Sequence, residues 1–146
     1  MSFLKRILSW AVKKVFSWIF VKFGIVGASG VLVNFLSFWI LTSLLGVNHL
    51  IASVIATEIA ILNNFTLNDL WTFRERREGT RLTLRILNFH WSRALGMLVT
   101  VGSLYLMVDL MGFEKNISYV FAIGFGTLAN FFTSDLFVWP EKGLKP

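Results

Sequence analysis

Four stretches of this chain, residues 23–45, 50–71, 89–111 and 117–139, are each apolar over 20 residues or more. That is the length a helix needs to cross a hydrocarbon layer of ~30 Å. Lipid offers no partner to backbone N–H and C=O groups, and a helix satisfies its own, so the pattern predicts an all-α membrane protein with four transmembrane helices. The composition agrees: 55% of 146 residues are hydrophobic, 15% are charged and the mean hydropathy is +0.68, well above a soluble domain of this size. With two prolines and eleven glycines there is little from which to make a disordered linker, and one compact membrane domain is expected.

The links between spans set the topology. Gly46-Val47-Asn48-His49 joins the first two spans, and a link of similar length around residues 112–116 joins the last two, so each pair is a tight helical hairpin. The other side carries Lys5, Arg6, Lys13, Lys14 and Lys22, then Arg74, Arg76, Arg77, Arg81 and Arg85, then Lys142 and Lys145. The positive-inside rule puts both termini and the middle loop in the cytoplasm, as expected of a multi-pass protein of the cytoplasmic membrane. Trp71, Phe73, Trp91 and Trp139 fall near that boundary, where aromatic rings with a polar edge collect. The net charge of +6 therefore reads as topology and contact with anionic lipid, and not as nucleic-acid binding.

Residues 1–21 differ from a signal peptide, because Lys5, Arg6, Lys13 and Lys14 interrupt the apolar run and no small-residue cleavage site follows. On a helical wheel those cations join Ser9 and Ser17, opposite Phe3, Leu4, Ile7, Leu8, Ala11, Val15, Ile19 and Phe20. The segment reads as an amphipathic interfacial helix on the inner leaflet, followed by a transmembrane domain over residues 22–146.

An internal repeat divides that domain. Shifted by 66 residues, segment 22–73 aligns with 88–139 without a gap, and 16 of the 52 positions are identical. The clearest match is Asn-Phe-Thr-Leu-Asn-Asp-Leu-Trp at 64–71 over Asn-Phe-Phe-Thr-Ser-Asp-Leu-Phe at 130–137, where shared apolarity alone would not keep the Asn and the Asp. Each copy crosses twice, so this is a parallel repeat of two helical hairpins, expected to form a pseudo-twofold four-helix bundle. Gly24, Gly27 and Gly30, and Gly124 and Gly126, are small enough to let helix backbones approach in lipid.

An ionisable group within a span costs about 2.5–3.5 kcal/mol, so each needs a partner, a cavity or an exit to the interface. Glu58, Asp69, Arg93, Asp109 and Asp135 are such groups, with Asn64, Asn68, Asn130 and His90 beside them; Asp109 is close enough to the outer end to be solvated. Arg93, Asn68, Asp69 and Asp135 lie at similar depth and Asn64 and Asn130 a turn or two deeper, an arrangement able to hold a phosphate beneath the inner headgroups. Helix packing and interhelical hydrogen bonding explain the same residues nearly as well. Glu58 is nearest the midplane and reads as a gate or proton site, or as a neutral acid bonded to a neighbouring helix.

The absent motifs matter too. Without cysteine there is no disulfide, thiolate metal site or Cys nucleophile, and the two histidines, His49 and His90, lie near opposite faces and form no metal cluster. No glycine-rich nucleotide loop, HExxH or Ser-His-Asp spacing occurs, so neither catalysis by this chain nor a cofactor is expected.

The run Lys22-Phe23-Gly24-Ile25-Val26-Gly27-Ala28-Ser29-Gly30, together with Asn63-Asn64-Phe65-Thr66-Leu67-Asn68-Asp69-Leu70-Trp71-Thr72-Phe73 and its echo Asn130-Phe131-Phe132, resembles the GtrA-like family of small four-span membrane proteins. That family also supplies the membrane region of some polyprenyl-phosphate mannose synthases. The resemblance implies translocation of polyprenyl-phosphate-linked sugars to the outer leaflet, for cell-surface polysaccharide or teichoic acid glycosylation. It carries over to Asn64, Asn68, Phe73, Arg93 and Asn130, while Asp69 departs from the basic residue that often follows the family's second Asn. Four short helices enclose little volume, so a homo-oligomer is expected. Two other functions fit the residues: a non-transporting scaffold that recruits a membrane glycosyltransferase through the Arg74–Arg85 loop and the amino-terminal helix, and, ranked below it, a proton-coupled exporter of small cations using Glu58.

Overall fold

A computed structural model describes residues 3–141; Lys142 and Lys145, counted above among the cytoplasmic cations, lie outside the described residues. Helix α1 spans Phe3–Val15, α2 Trp18–Trp39, α3 His49–Leu67, α4 Leu82–Tyr105 and α5 Lys115–Thr133. Each of α2 to α5 runs on for five residues in a wide π-type turn: Ile40–Leu44, Asn68–Thr72, Leu106–Leu110 and Ser134–Val138. The four composite helices, Trp18–Leu44, His49–Thr72, Leu82–Leu110 and Lys115–Val138, are long and apolar enough to cross a membrane. The first and third begin several residues before their apolar stretches, because nothing in those leading turns breaks a helix.

Helix α1 ends where Ser17 turns the chain. Its hydroxyl donates to the Lys14 carbonyl (2.6 Å) and accepts from the Phe20 N–H (3.3 Å), capping α2. The apolar side chains of α1, among them Phe3, Leu4, Ile7 and Leu8, are exposed.

The chain divides into two compact units, Met1–Arg74 and Glu75–Pro146, and the helices of the second repeat those of the first 66 residues on. In the first, α2 and α3 form a hairpin turned by Gly46 at φ +65°; in the second, α4 and α5 do so around Gly112 at φ +70°. Both are left-handed conformations that a Cβ would strain. The hairpin seam is a row of small and polar residues at every fourth position. In the first unit Ala52, Ala56, Ala60, Asn64, Asn68 and Thr72 are all buried. In the second, Ser118, Ala122, Gly126, Ser134 and Val138 are buried with Asn130 half-buried between them. At the closest approach, a Cβ built on Gly30 would strike the Asn64 side chain, one on Gly96 the Asn130 side chain, and one on Gly126 the Gly96 carbonyl at 2.8 Å. Gly24, Gly27 and Gly124 have open space at that position, so of the glycines singled out by spacing only Gly30 and Gly126 serve close packing.

The open end of each hairpin is closed by an edge-to-face aromatic pair, Phe23 with Phe73 (6.4 Å between centroids) and Phe89 with Trp139 (5.7 Å). All four rings are buried. Phe73 and Trp139 are therefore core residues and not the interfacial aromatics their position suggested; Trp71 and Trp91 do remain exposed. The reason is the π-type turn before each, which swings the following side chain back over the first helix, as the Phe73 N–H bonds to the Asn68 carbonyl (2.8 Å) and the Trp139 N–H to the Ser134 carbonyl (2.9 Å).

Two expectations follow. Gly96→Ala lowers the thermal unfolding midpoint of the detergent-purified protein, at a cost of about 1–3 kcal/mol for overpacking, while Gly102→Ala, whose Cβ meets nothing, does not lower it. Glu114 caps α5, accepting from the Ile117 N–H (2.8 Å) and the Asn116 amide (2.9 Å). The Ile117 bond above all holds its carboxyl below the ordinary value of 4.5. A depressed carboxyl contributes stability above its unfolded value and loses it as pH falls through the folded one. Melting curves below about pH 4.5 should therefore converge for the wild type and Glu114→Gln, with the wild type the more stable above that range.

Candidate functional site

The buried polar residues gather toward the open end of each hairpin, and each unit has its own set. In the first unit, Asn64 lies on the seam with its side chain over Gly30, and one turn on, at the start of the wide turn, Asn68 is 0% exposed. Asp69 and Thr72 are buried beside it. Among the described residues Asn68 Oδ1 and Nδ2, Asn64 Oδ1 and Thr72 Oγ1 are buried with no hydrogen-bond partner. A buried amide atom left in that state costs about 1–3 kcal/mol. Around them Asn63 Nδ2 donates to Ser29 Oγ (3.4 Å), Asn34 Nδ2 donates to Thr57 Oγ1 (3.3 Å), and the Lys22 ammonium lies 5.3 Å from the Trp71 ring centroid.

In the second unit several polar side chains bond one another. Ser92, which replaces Val26 of the first copy, donates to the Asn130 carbonyl (3.2 Å) and bonds the hydroxyls of Thr133 (2.6 Å) and Ser134 (3.2 Å). Arg93 is half-buried with its guanidinium carbon 4.3 Å from the Phe89 ring centroid, a cation–π contact that orients its planar donors. Asn130 rests against Gly96, and its Oδ1 is buried with no hydrogen-bond partner among the described residues. Asp135, 2% exposed, is gripped by Arg76 Nη1 at 2.7 Å; the same Arg76 donates to Glu141 (2.8 Å) and to the Trp139 carbonyl (3.4 Å).

Asn64, Asn68 and Asp69 thus come together in one unit, and Arg93, Asn130 and Asp135 occupy the corresponding end of the other. Glu58 lies on an exposed face of α3. The wheel sets Asp69 nearly over Glu58, but at the 68–72 turn α2 packs against α3 and buries Asp69. Three residues carry roles that sequence reasoning missed. Arg76 and Arg85 counted there only as loop cations, yet Arg76 clasps Asp135, and Arg85 is buried with its guanidinium donating to the carbonyls of Arg77 (2.6 Å) and Thr80. Ser92 was visible as a polar-for-apolar exchange between the repeats. Asp109 lies in the 106–110 turn at an exposed position. Among the described residues no three His, Asp or Glu side chains gather as metal ligands.

The Arg76 clasp gives a direct test. Arg76→Ala leaves a buried carboxylate without its guanidinium and should destabilise the protein by about 3 kcal/mol. Adding Asp135→Asn should restore much of that loss, so thermal unfolding of the two single variants and the double variant is expected to be strongly non-additive.

Residues 22–139 match the GtrA/DPMS transmembrane domain. The chain is also similar to a dolichol-phosphate mannosyltransferase of Pyrococcus furiosus, 41% identical over 101 residues, an alignment that takes in 63% of this chain and 28% of that protein. The chain thus corresponds to little more than a quarter of the relative's length. The protein is a multi-pass integral membrane protein and belongs to the GtrA/DPMS transmembrane-domain family, which is involved in polyprenyl-phosphate sugar processes.

Proposed function

We propose that the protein moves polyprenyl-phosphate-linked sugar across the cytoplasmic membrane, from the inner to the outer leaflet, for cell-surface glycosylation. The observation that carries this reading is Asn68, a side-chain amide wholly buried inside a lipid-facing hairpin with neither polar atom hydrogen-bonded among the described residues. A headgroup rich in hydroxyl and phosphate oxygens supplies the missing partners. In this reading each hairpin brings its own polar set to a headgroup, Asn64, Asn68 and Asp69 in the first and Arg93, Asn130 and Asp135 in the second. The stacked guanidinium of Arg93 takes the phosphate and Glu58 acts as gate or proton-carrying group. Both termini lie in the cytoplasm, residues 1–21 rest on the anionic inner leaflet ahead of the domain at 22–146, and a homo-oligomer encloses the path. The chain itself does no catalysis.

A second reading, a scaffold that holds a polyprenyl-phosphate glycosyltransferase at the membrane, is favoured by one fact: the relative that shares this domain is named a mannosyltransferase and is far longer. Liposomes carrying a fluorescent polyprenyl-phosphosugar separate the two. Translocation predicts label transfer above that of empty liposomes. Transfer should fall about tenfold in Asn68→Ala and in Arg93→Ala, as for the loss of an interaction worth ~1.4 kcal/mol. Folded protein that transfers no label would sink the translocator and leave the scaffold.

A further inference from the structure

Beyond Asn64 the first hairpin carries a mostly apolar groove with three polar side chains set into it, Asn34, Thr57 and Asn64. A cavity of about 380 Å³ opens between α2 and α3, lined among others by Gly27, Gly30, Asn34, Phe35, Thr57 and Asn64. That volume is in the range of about 300–1,000 Å³ typical of small-molecule sites. Two observations mark it as built to receive a ligand. Asn64, nine-tenths buried, lines it with an Oδ1 that has no hydrogen-bond partner among the described residues. The Asn34–Thr57 bond, at 3.3 Å, engages one donor of Asn34 and leaves its carbonyl oxygen and the Thr57 hydroxyl hydrogen available.

No charged residue lines the cavity, so a phosphate entering it would be unpaired and costly. Two carboxamides and a hydroxyl, each able to donate and accept, suit neighbouring hydroxyl groups, and Phe35 gives an apolar wall of the kind that the C–H face of a sugar ring packs against. From Asn68 to Thr57 the polar groups extend about 16 Å along α3 at 1.5 Å per residue, close to half of a ~30 Å hydrocarbon layer. The second hairpin has lost this rung. Asn34 is replaced there by Thr100, whose hydroxyl bonds its own helix at the Gly96 carbonyl (2.9 Å) and occupies the space beside Gly126, and Thr57 is replaced by Ile123.

We infer that the cavity bounded by Asn34, Thr57 and Asn64 is a subsite for the uncharged sugar of the lipid headgroup, separate from the group that takes its phosphate. The inference rests on the translocation reading and deepens it by naming the part of the headgroup that the first hairpin holds. Gly27 permits a test, because it lines the cavity and a Cβ there meets nothing within 4 Å.

The experiment measures binding of two lipids, a polyprenyl phosphate and the same lipid carrying one neutral hexose, to the full-length protein in nanodiscs. The wild type should bind the glycosylated lipid at least about tenfold more tightly, the equivalent of ~1.4 kcal/mol. Gly27→Leu and Asn34→Ala should each remove most of that preference and leave affinity for the bare polyprenyl phosphate unchanged. Equal affinity of the wild type for both lipids would overturn the sugar subsite and leave the phosphate reading standing, as would variants that weaken both lipids alike. Binding of neither lipid would remove the subsite and the translocation reading together.

Discussion

The contact on which the hairpins depend is a glycine facing an asparagine. In lipid no hydrophobic effect drives two apolar helices together, and they associate through close packing and interhelical hydrogen bonds. Gly30 and Gly96 remove the one atom that would keep the facing helix away, and Asn64 and Asn130 fill the space with an amide. From there the remaining positions of the seam can be small, at Ala52, Ala56 and Ala60 in one unit and Ser118, Ala122 and Gly126 in the other. The aromatic pairs at the open end and the left-handed glycines at the turn then fix the two ends of a contact already set in the middle.

The two copies keep this frame and differ in what they hang on it. The second ties several of its polar groups to one another: Ser92 bonds Thr133 and Ser134, Arg76 holds Asp135, and Thr100 bonds its own helix, while Ser118 Oγ and Asn130 Oδ1 stay buried with no hydrogen-bond partner among the described residues. The first leaves amides at Asn64 and Asn68 buried without hydrogen-bond partners among the described residues, and keeps a cavity above them. Exchanges at equivalent positions, Val26 for Ser92, Gly27 for Arg93, Asn34 for Thr100 and Asn68 for Ser134, all bear on that difference.

The four helices, the two tight turns and the repeat were legible because each leaves a periodic or polar mark: apolar length, glycine at the turn, and Asn and Asp recurring 66 residues apart. The π-type turns were not, since Asn68–Thr72 and Ser134–Val138 contain no glycine or proline to announce a change of pitch. Missing them misplaced Phe73 and Trp139 at the interface and set Asp69 over Glu58. Of the residues named for the site, burial was foreseeable for the asparagines, which sit on the seam. For Glu58 the wheel alone could not say which face the partner helix would cover, and that side chain is exposed.

The loop between the repeats shows why charge counted along a sequence overstates charge offered to a membrane. Five arginines lie between residues 74 and 85, and all five enter the positive-inside argument with equal weight. Arg85 is spent on backbone carbonyls of its own loop and Arg76 on Asp135 and Glu141, so both are fixed by local partners. Arg74, Arg77 and Arg81 are the exposed ones. Glu75 and Glu78 of the same loop are exposed as well, so what it presents is three cations beside two carboxylates and not five cations.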